Sequence, residues 1–198
     1  MALSAATGFR LRKSLSGIEV GANLFGRIAN STTLKIGDFV RANTAGFIVR
    51  VGVGSPILGV CSGFRVTNRA DNEGVNPFAL GAPTAGATLT EDDQIATASD
   101  NQTRVEFAVA EITVDVGGHL LWYNDADADQ ARTNDYQFFD VNAAGNQVTQ
   151  STASDANGQV QLISRDPDGD ADLSKGLYRI VEHQLGGDID SATAKNAA

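Results

Sequence analysis

Thr103-Arg-Val-Glu-Phe-Ala-Val-Ala-Glu-Ile-Thr-Val114 alternates apolar and polar positions, with Val105, Phe107 and Val109 on one face. A period of two marks a strand that buries one side. Three earlier stretches read the same way. Leu34-Lys-Ile-Gly-Asp-Phe-Val-Arg41 alternates, and Ala45-Gly-Phe-Ile-Val-Arg-Val-Gly-Val53 is a β-branched run. Ser55-Pro-Ile-Leu-Gly-Val-Cys-Ser-Gly-Phe-Arg-Val66 is another, with Gly59 and Gly63 placed as bulges or bends. Asn43-Thr-Ala-Gly46 and Gly52-Val-Gly-Ser-Pro56 punctuate these runs as turns. Strands at such short spacing point to a barrel or a sandwich, not to a βαβ unit.

The same pattern continues toward the C-terminus. Gly117-Gly-His-Leu-Leu-Trp-Tyr123 leads into an acidic loop. Asp135 to Val141, a turn at Asn142-Ala-Ala-Gly145 and Asn146 to Gln150 read as a hairpin. Gly158 to Arg165 and Gly176 to His183 read as the last strands. The 21 glycines are spread along the chain, and each costs a helix about 1 kcal/mol relative to alanine. The expected fold is therefore mainly β: a barrel or sandwich of short antiparallel strands with an extended N-terminal arm and long loops. Residues 1–33 form the arm and first strand, and 34–185 the β domain, with a loop-rich excursion at 68–102. Residues 186–198 form a flexible, small and polar tail.

The 198 residues are 42% hydrophobic and 20% charged, enough apolar material for a sizeable core. Cys61 is the one cysteine, which excludes an intrachain disulfide and a cysteine-based zinc site. No apolar run approaches the roughly 20 residues that span a bilayer, and the first residues lack a secretory pattern, so no membrane role and a cytoplasmic site of synthesis are expected. The net charge of -9 hides an asymmetry. Residues 1–69 carry nine Lys/Arg and two acids, a balance of +7, while residues 70–198 carry six and 22, a balance of -16. A globally acidic chain is a poor general nucleic-acid binder, and no direct nucleic-acid contact is expected. At the basic end, Arg10, Arg12 and Lys13 interleave with Phe9, Leu11 and Leu15. This segment reads as a solvated strand, as an arm docking on an acidic protein surface, or as a nucleic-acid contact.

Two acidic runs offer hard oxygen ligands at every second position: Asp125, Asp127 and Asp129, and Asp166, Asp168, Asp170 and Asp172. Neither has the Gly and Glu of an EF-hand loop, and both also read as solvated turns. His119 and His183 are far apart in sequence and read as surface or interface groups. Cys61 reads as a small buried strand residue. Trp122 and Tyr123 are candidates for stacking on a sugar, with core packing as the alternative. No nucleophile elbow, phosphate loop or metalloprotease helix occurs, and neither an enzyme nor a cofactor is expected.

An ordered set of features remains. Gly8-Phe-Arg-Leu-Arg-Lys-Ser-Leu-Ser-Gly17 opens the chain, followed by Ser31-Thr-Thr-Leu-Lys-Ile-Gly-Asp-Phe-Val40 and Ile57-Leu-Gly-Val-Cys-Ser-Gly-Phe64. Asp115-Val-Gly117, Val160 to Gly169 and Leu177-Tyr-Arg-Ile-Val-Glu-His183 complete it. In this order the elements resemble those of the capsid decoration (cement, head-stabilising) proteins of tailed bacteriophages. Leu11 stands where that family often has proline, and the tyrosines common after its Ser-Gly are missing.

The resemblance implies a structural virion protein on the outer surface of the mature icosahedral capsid, made in the cytoplasm of a bacterial host. It would staple neighbouring major capsid subunits against internal DNA pressure. Its partners would be the major capsid protein and itself, as a homotrimer in preference to a dimer. An arm ordering on binding would bury Phe9, Leu11 and Leu15 while Arg10, Arg12 and Lys13 meet capsid carboxylates. The rival reading is a calcium- or glycan-binding β module for host-surface adhesion, built on the acidic loops and Trp122.

Overall fold

A computed structural model describes residues 8–14, 22–68, 94–97, 106–115, 119–130, 132–165, 175–185 and 187–188. Most of the expected excursion at 68–102, the Asp166 to Asp172 loop and the tail beyond 188 lie outside the described residues. In chain order the strands are β1 (Arg10–Ser14), β2 (Ala22–Arg27), β3 (Thr33–Lys35), β4 (Phe39–Ala42), β5 (Ile48–Arg50), β6 (Gly59–Asn68) and β7 (Gln94–Ala96). They continue with β8 (Glu106–Val114), β9 (Leu120–Asp125), β10 (Phe138–Phe139), β11 (Val160–Arg165), β12 (Lys175–Ile180), β13 (Glu182–His183) and β14 (Gly187–Asp188). Single 3-10 turns occur at Arg132–Asn134 and Gln150–Thr152. Among the described residues no helix is long and apolar enough to cross a membrane.

Two five-stranded antiparallel sheets make a sandwich and not a closed barrel. One has the order β1-β9-β12-β11-β10, the other β2-β8-β6-β4-β5. The pairs β3-β7 and β13-β14 lie apart from them. One core joins the sheets. Leu120, Trp122, Phe139, Val160, Leu162, Tyr178 and Ile180 of the first sheet meet Phe39 and Val60 of the second, with Val51 and Ile57 from its loops. A second core is built on the second sheet and closed by Leu34 of β3; it holds Ile28, Val40, Ile48, Cys61, Phe64 and Ile112 among others. That sheet curls until Ile28, just past β2, bridges Ile48 at the start of β5. Neighbours in one strand thus serve different cores, as Phe39 and Val40 do, which is why β4 begins as two consecutive apolar residues instead of an alternation.

Three strand expectations change. Residues 34–41 are not one strand: Gly37, at φ 92°, turns the chain between β3 and β4. The Asp38 carboxylate closes that turn by accepting the Lys35 N–H at 2.8 Å. β8 does alternate, but its core face is Ala108, Ala110, Ile112 and Val114, with Val109 on the opposite side. Glu111 and Thr113 share the Val109 face and are only half-buried, so that side cannot serve as the core. The last run divides at Val181, with β12 in the first sheet and β13 outside it.

Candidate functional site

The N-terminal segment is fastened to the sandwich at Gly8 and Phe9. Gly8 adopts φ 77°, and a Cβ there would lie 2.9 Å from the Gly37 backbone, so the two chains cross where only glycine fits. The Phe9 N–H donates to the Gly37 carbonyl at 2.8 Å. The Phe9 ring stacks on Phe39 with centroids 3.7 Å apart. Asn124, buried in β9, donates through Nδ2 to the Gly8 carbonyl (3.1 Å) and the Asn146 carbonyl (3.0 Å), and its Oδ1 accepts the Val148 N–H at 3.0 Å. Two of the stretches quoted from the sequence, around Gly8-Phe9 and Gly37-Asp38-Phe39, therefore pack on each other.

This corrects the arm. Phe9 is 2% exposed within its own chain and does not wait for a partner to bury it. Its large apolar ring finds an aromatic surface in the joint core, where burial and stacking both stabilise it. Residues 10–14 are likewise a sheet strand: β1 pairs antiparallel with β9, placing Arg10 opposite Tyr123, Leu11 opposite Trp122 and Lys13 opposite Leu121. A register shift falls between Leu11 and Lys13, at Arg12. Leu15 and the side chains of Arg10, Arg12 and Lys13 lie outside the described residues.

What β1 does offer is an edge. It ends the first sheet, and β2 ends the second. The exposed large apolar side chains among the described residues are Leu11, Leu24, Phe25, Val53, Tyr136 and Leu185. Val53, Tyr136 and Leu185 lie in turns. Leu11, Leu24 and Phe25 lie in strands, and those strands are β1 and β2. Leu24 stands opposite buried Ile112, while Phe25, 52% exposed, stands opposite Glu111 on the outer face. Sequence reasoning missed Leu24 and Phe25. The signal was present: two bulky apolar neighbours in Ala22-Asn-Leu-Phe-Gly-Arg27 place one on each side of a strand.

The other candidates divide. Trp122 is 2% exposed in the joint core, so it cannot stack on a sugar. The Asp127 carboxylate accepts the Gln150 N–H at 2.7 Å, and Asp125 accepts the Tyr123 hydroxyl at 3.5 Å. These two therefore serve the loop. Among the described residues no group of three or more His, Cys, Asp or Glu side chains is placed to hold a metal ion. Asp129 is exposed, and Asp166, Asp168 and Asp170 lie outside the described residues. Cys61 is buried, and burial, with Asp38 nearby, pushes its thiol far up.

Asp38 is fully buried and accepts from Arg50 Nε at 2.9 Å; burial raises its carboxyl, against the opposing pull of the Lys35 N–H and Arg50. The two histidines both act on Asp115. Its carboxylate accepts the His119 N–H at 2.8 Å and the Leu120 N–H at 2.9 Å, and burial raises it above the ordinary range. His119 itself is exposed, while His183 is buried.

Comparison of the chain with protein-family models, curated proteins and solved structures returned no match.

Proposed function

We propose that this chain is a structural virion protein that binds the outside of the mature icosahedral capsid of a tailed bacteriophage and staples neighbouring major capsid subunits. The observation that carries the reading is the placement of Leu11, Leu24 and Phe25 on β1 and β2, one end strand of each sheet. Apolar side chains left exposed on sheet edges invite association, and a permanent partner removes that liability. The ordered resemblance in sequence supports the same reading, with Gly8-Phe9 and Gly37-Asp38-Phe39 holding β1 in place. The balance of +7 over residues 1–69 favours an acidic partner surface. The partners are the major capsid protein and further copies of this chain, as a trimer in preference to a dimer. Linked copies engaging several subunits gain avidity from individually weak contacts.

Co-sedimentation with expanded, decoration-free heads tests this. The full chain binds saturably, and unexpanded heads do not take it up. Phe25→Ser, on the outer face, weakens binding by about tenfold or more, and the thermal melt of the variant without heads separates lost binding from lost folding. No binding of the folded full chain to expanded heads overturns the proposal.

A further inference from the structure

After Ile180 the chain leaves the first sheet and crosses to the second. The Val181 N–H donates to the Gln159 carbonyl at 3.0 Å. His183 then bridges Ile57 in parallel, flanked by the Ile57 N–H donating to the Glu182 carbonyl (2.9 Å) and the Gln184 N–H donating to the Ile57 carbonyl (2.8 Å). The Gln184 side chain grips β4 at one residue, accepting the Ala42 N–H and donating to the Ala42 carbonyl, each at 2.8 Å. β13 then pairs with β14. Residues 181–185 thus form a strap across the two sheets.

His183, 3% exposed, sits in the middle of that strap. Its Nδ1 accepts the Leu185 N–H at 3.0 Å. A ring nitrogen that accepts carries no proton, so the neutral ring holds its one proton on Nε2, which is buried without a hydrogen-bond partner. A second proton can go only to Nδ1. It turns the acceptor into a donor pointing at another N–H, and it leaves a buried cation. We propose that His183 is an acid-sensitive latch: protonation at Nδ1 expels the Leu185 N–H and frees the strap from Gln184 onward.

The titratable group that faces the ring is Asp115, past the end of β8, and His119 acts on that same carboxylate; Glu182, the preceding residue of β13, is on the opposite face of the strand. The Leu58 carbonyl favours the charged ring without forming a hydrogen bond to Nε2. Burial outweighs both Leu58 and Asp115 and holds His183 below the ordinary histidine range. Because this value lies below that of the unfolded chain, the latch is closed at neutral pH. It loses hold as the pH falls below 6.5 and through the lowered value.

Amide hydrogen exchange on the full chain, corrected for intrinsic rates, reads this residue by residue from about pH 7.5 to about pH 5. The expected result is that the Gln184 and Leu185 amides lose about tenfold in protection for each pH unit between 6.5 and the folded value and level off below it, while the Ile112 amide in β8 stays the better protected throughout. His183→Asn supplies an oxygen in place of Nδ1, accepts the same N–H and does not titrate, so its strap stays protected throughout. Unchanged wild-type protection, or the same acid loss in the Asn variant, overturns the proposal. Nitrogen NMR of the wild-type ring is a second check that needs no variant. A proton found on Nδ1 at neutral pH also overturns it, and a proton on Nε2 supports it.

Discussion

Phe9, just ahead of β1, and Phe39, in β4, are far apart in sequence, and Asn124 holds the chain that carries the first of them. Phe9→Ala removes a ring that is 2% exposed and stacked at 3.7 Å, which costs about 3–5 kcal/mol. Asn124→Ala leaves the Gly8 and Asn146 carbonyls and the Val148 N–H without the partner they now have, and costs about 2–3 kcal/mol. The two side chains secure the same segment, so the double variant loses less than the sum of the singles. Urea unfolding of the four proteins measures both effects, with a lower midpoint at constant slope in each single variant. Additive losses would separate the ring from the amide and leave the segment's attachment without a common cause. Neither role was legible in the sequence. Phe9 read as an arm residue because charges flank it on one side, and Asn124 read as the first residue of an acidic loop.

Among the elements, β2 depends on a close approach. An ideal Cβ on Gly26 lies 2.4 Å from the Ile48 Cγ1, so any side chain there pushes β5 away and strains the curl that brings Ile28 to Ile48. Gly26→Val is expected to cost about 1–3 kcal/mol as overpacking, read as a lower melting temperature. A variant as stable as the parent would show that the curl yields freely.

The sequence carried the element type well where one core face faced solvent on the other side, as along β8 and β11. It carried boundaries poorly where a strand is buried on both faces or is turned by a side chain, as at Gly37-Asp38. Which strands end the sheets was not legible at all. That depends on pairing between residues far apart, β1 with β9 and β2 with β8, and no local period encodes it. The candidate edges were accordingly half found, with Leu11 named and Leu24 and Phe25 passed over.

For the whole molecule, buried titratable groups of two kinds set how stability follows pH. His183 is lowered by burial, so its contribution is complete above 6.5 and fades as the pH falls through the folded value. Asp38 and Asp115 are raised by burial, so the folded chain takes up their protons more readily than the unfolded one. Their contribution is complete below 3.8 and lost as the pH rises through the folded values. On acidification the histidine therefore weakens the fold, and the two aspartates then strengthen it. Urea midpoints measured from neutral to acid pH are expected to fall first and then flatten, with each of the three groups contributing at most about 1.4 kcal/mol per pH unit. His183→Asn removes the fall. Asp38→Asn keeps an acceptor for the Lys35 N–H and Arg50 but cannot ionise, so the flattening shrinks while the fall remains. If both variants retained the parent's curve, the pH dependence would come from surface charge. It would then also weaken with added salt, which screens exposed charges far more than buried ones.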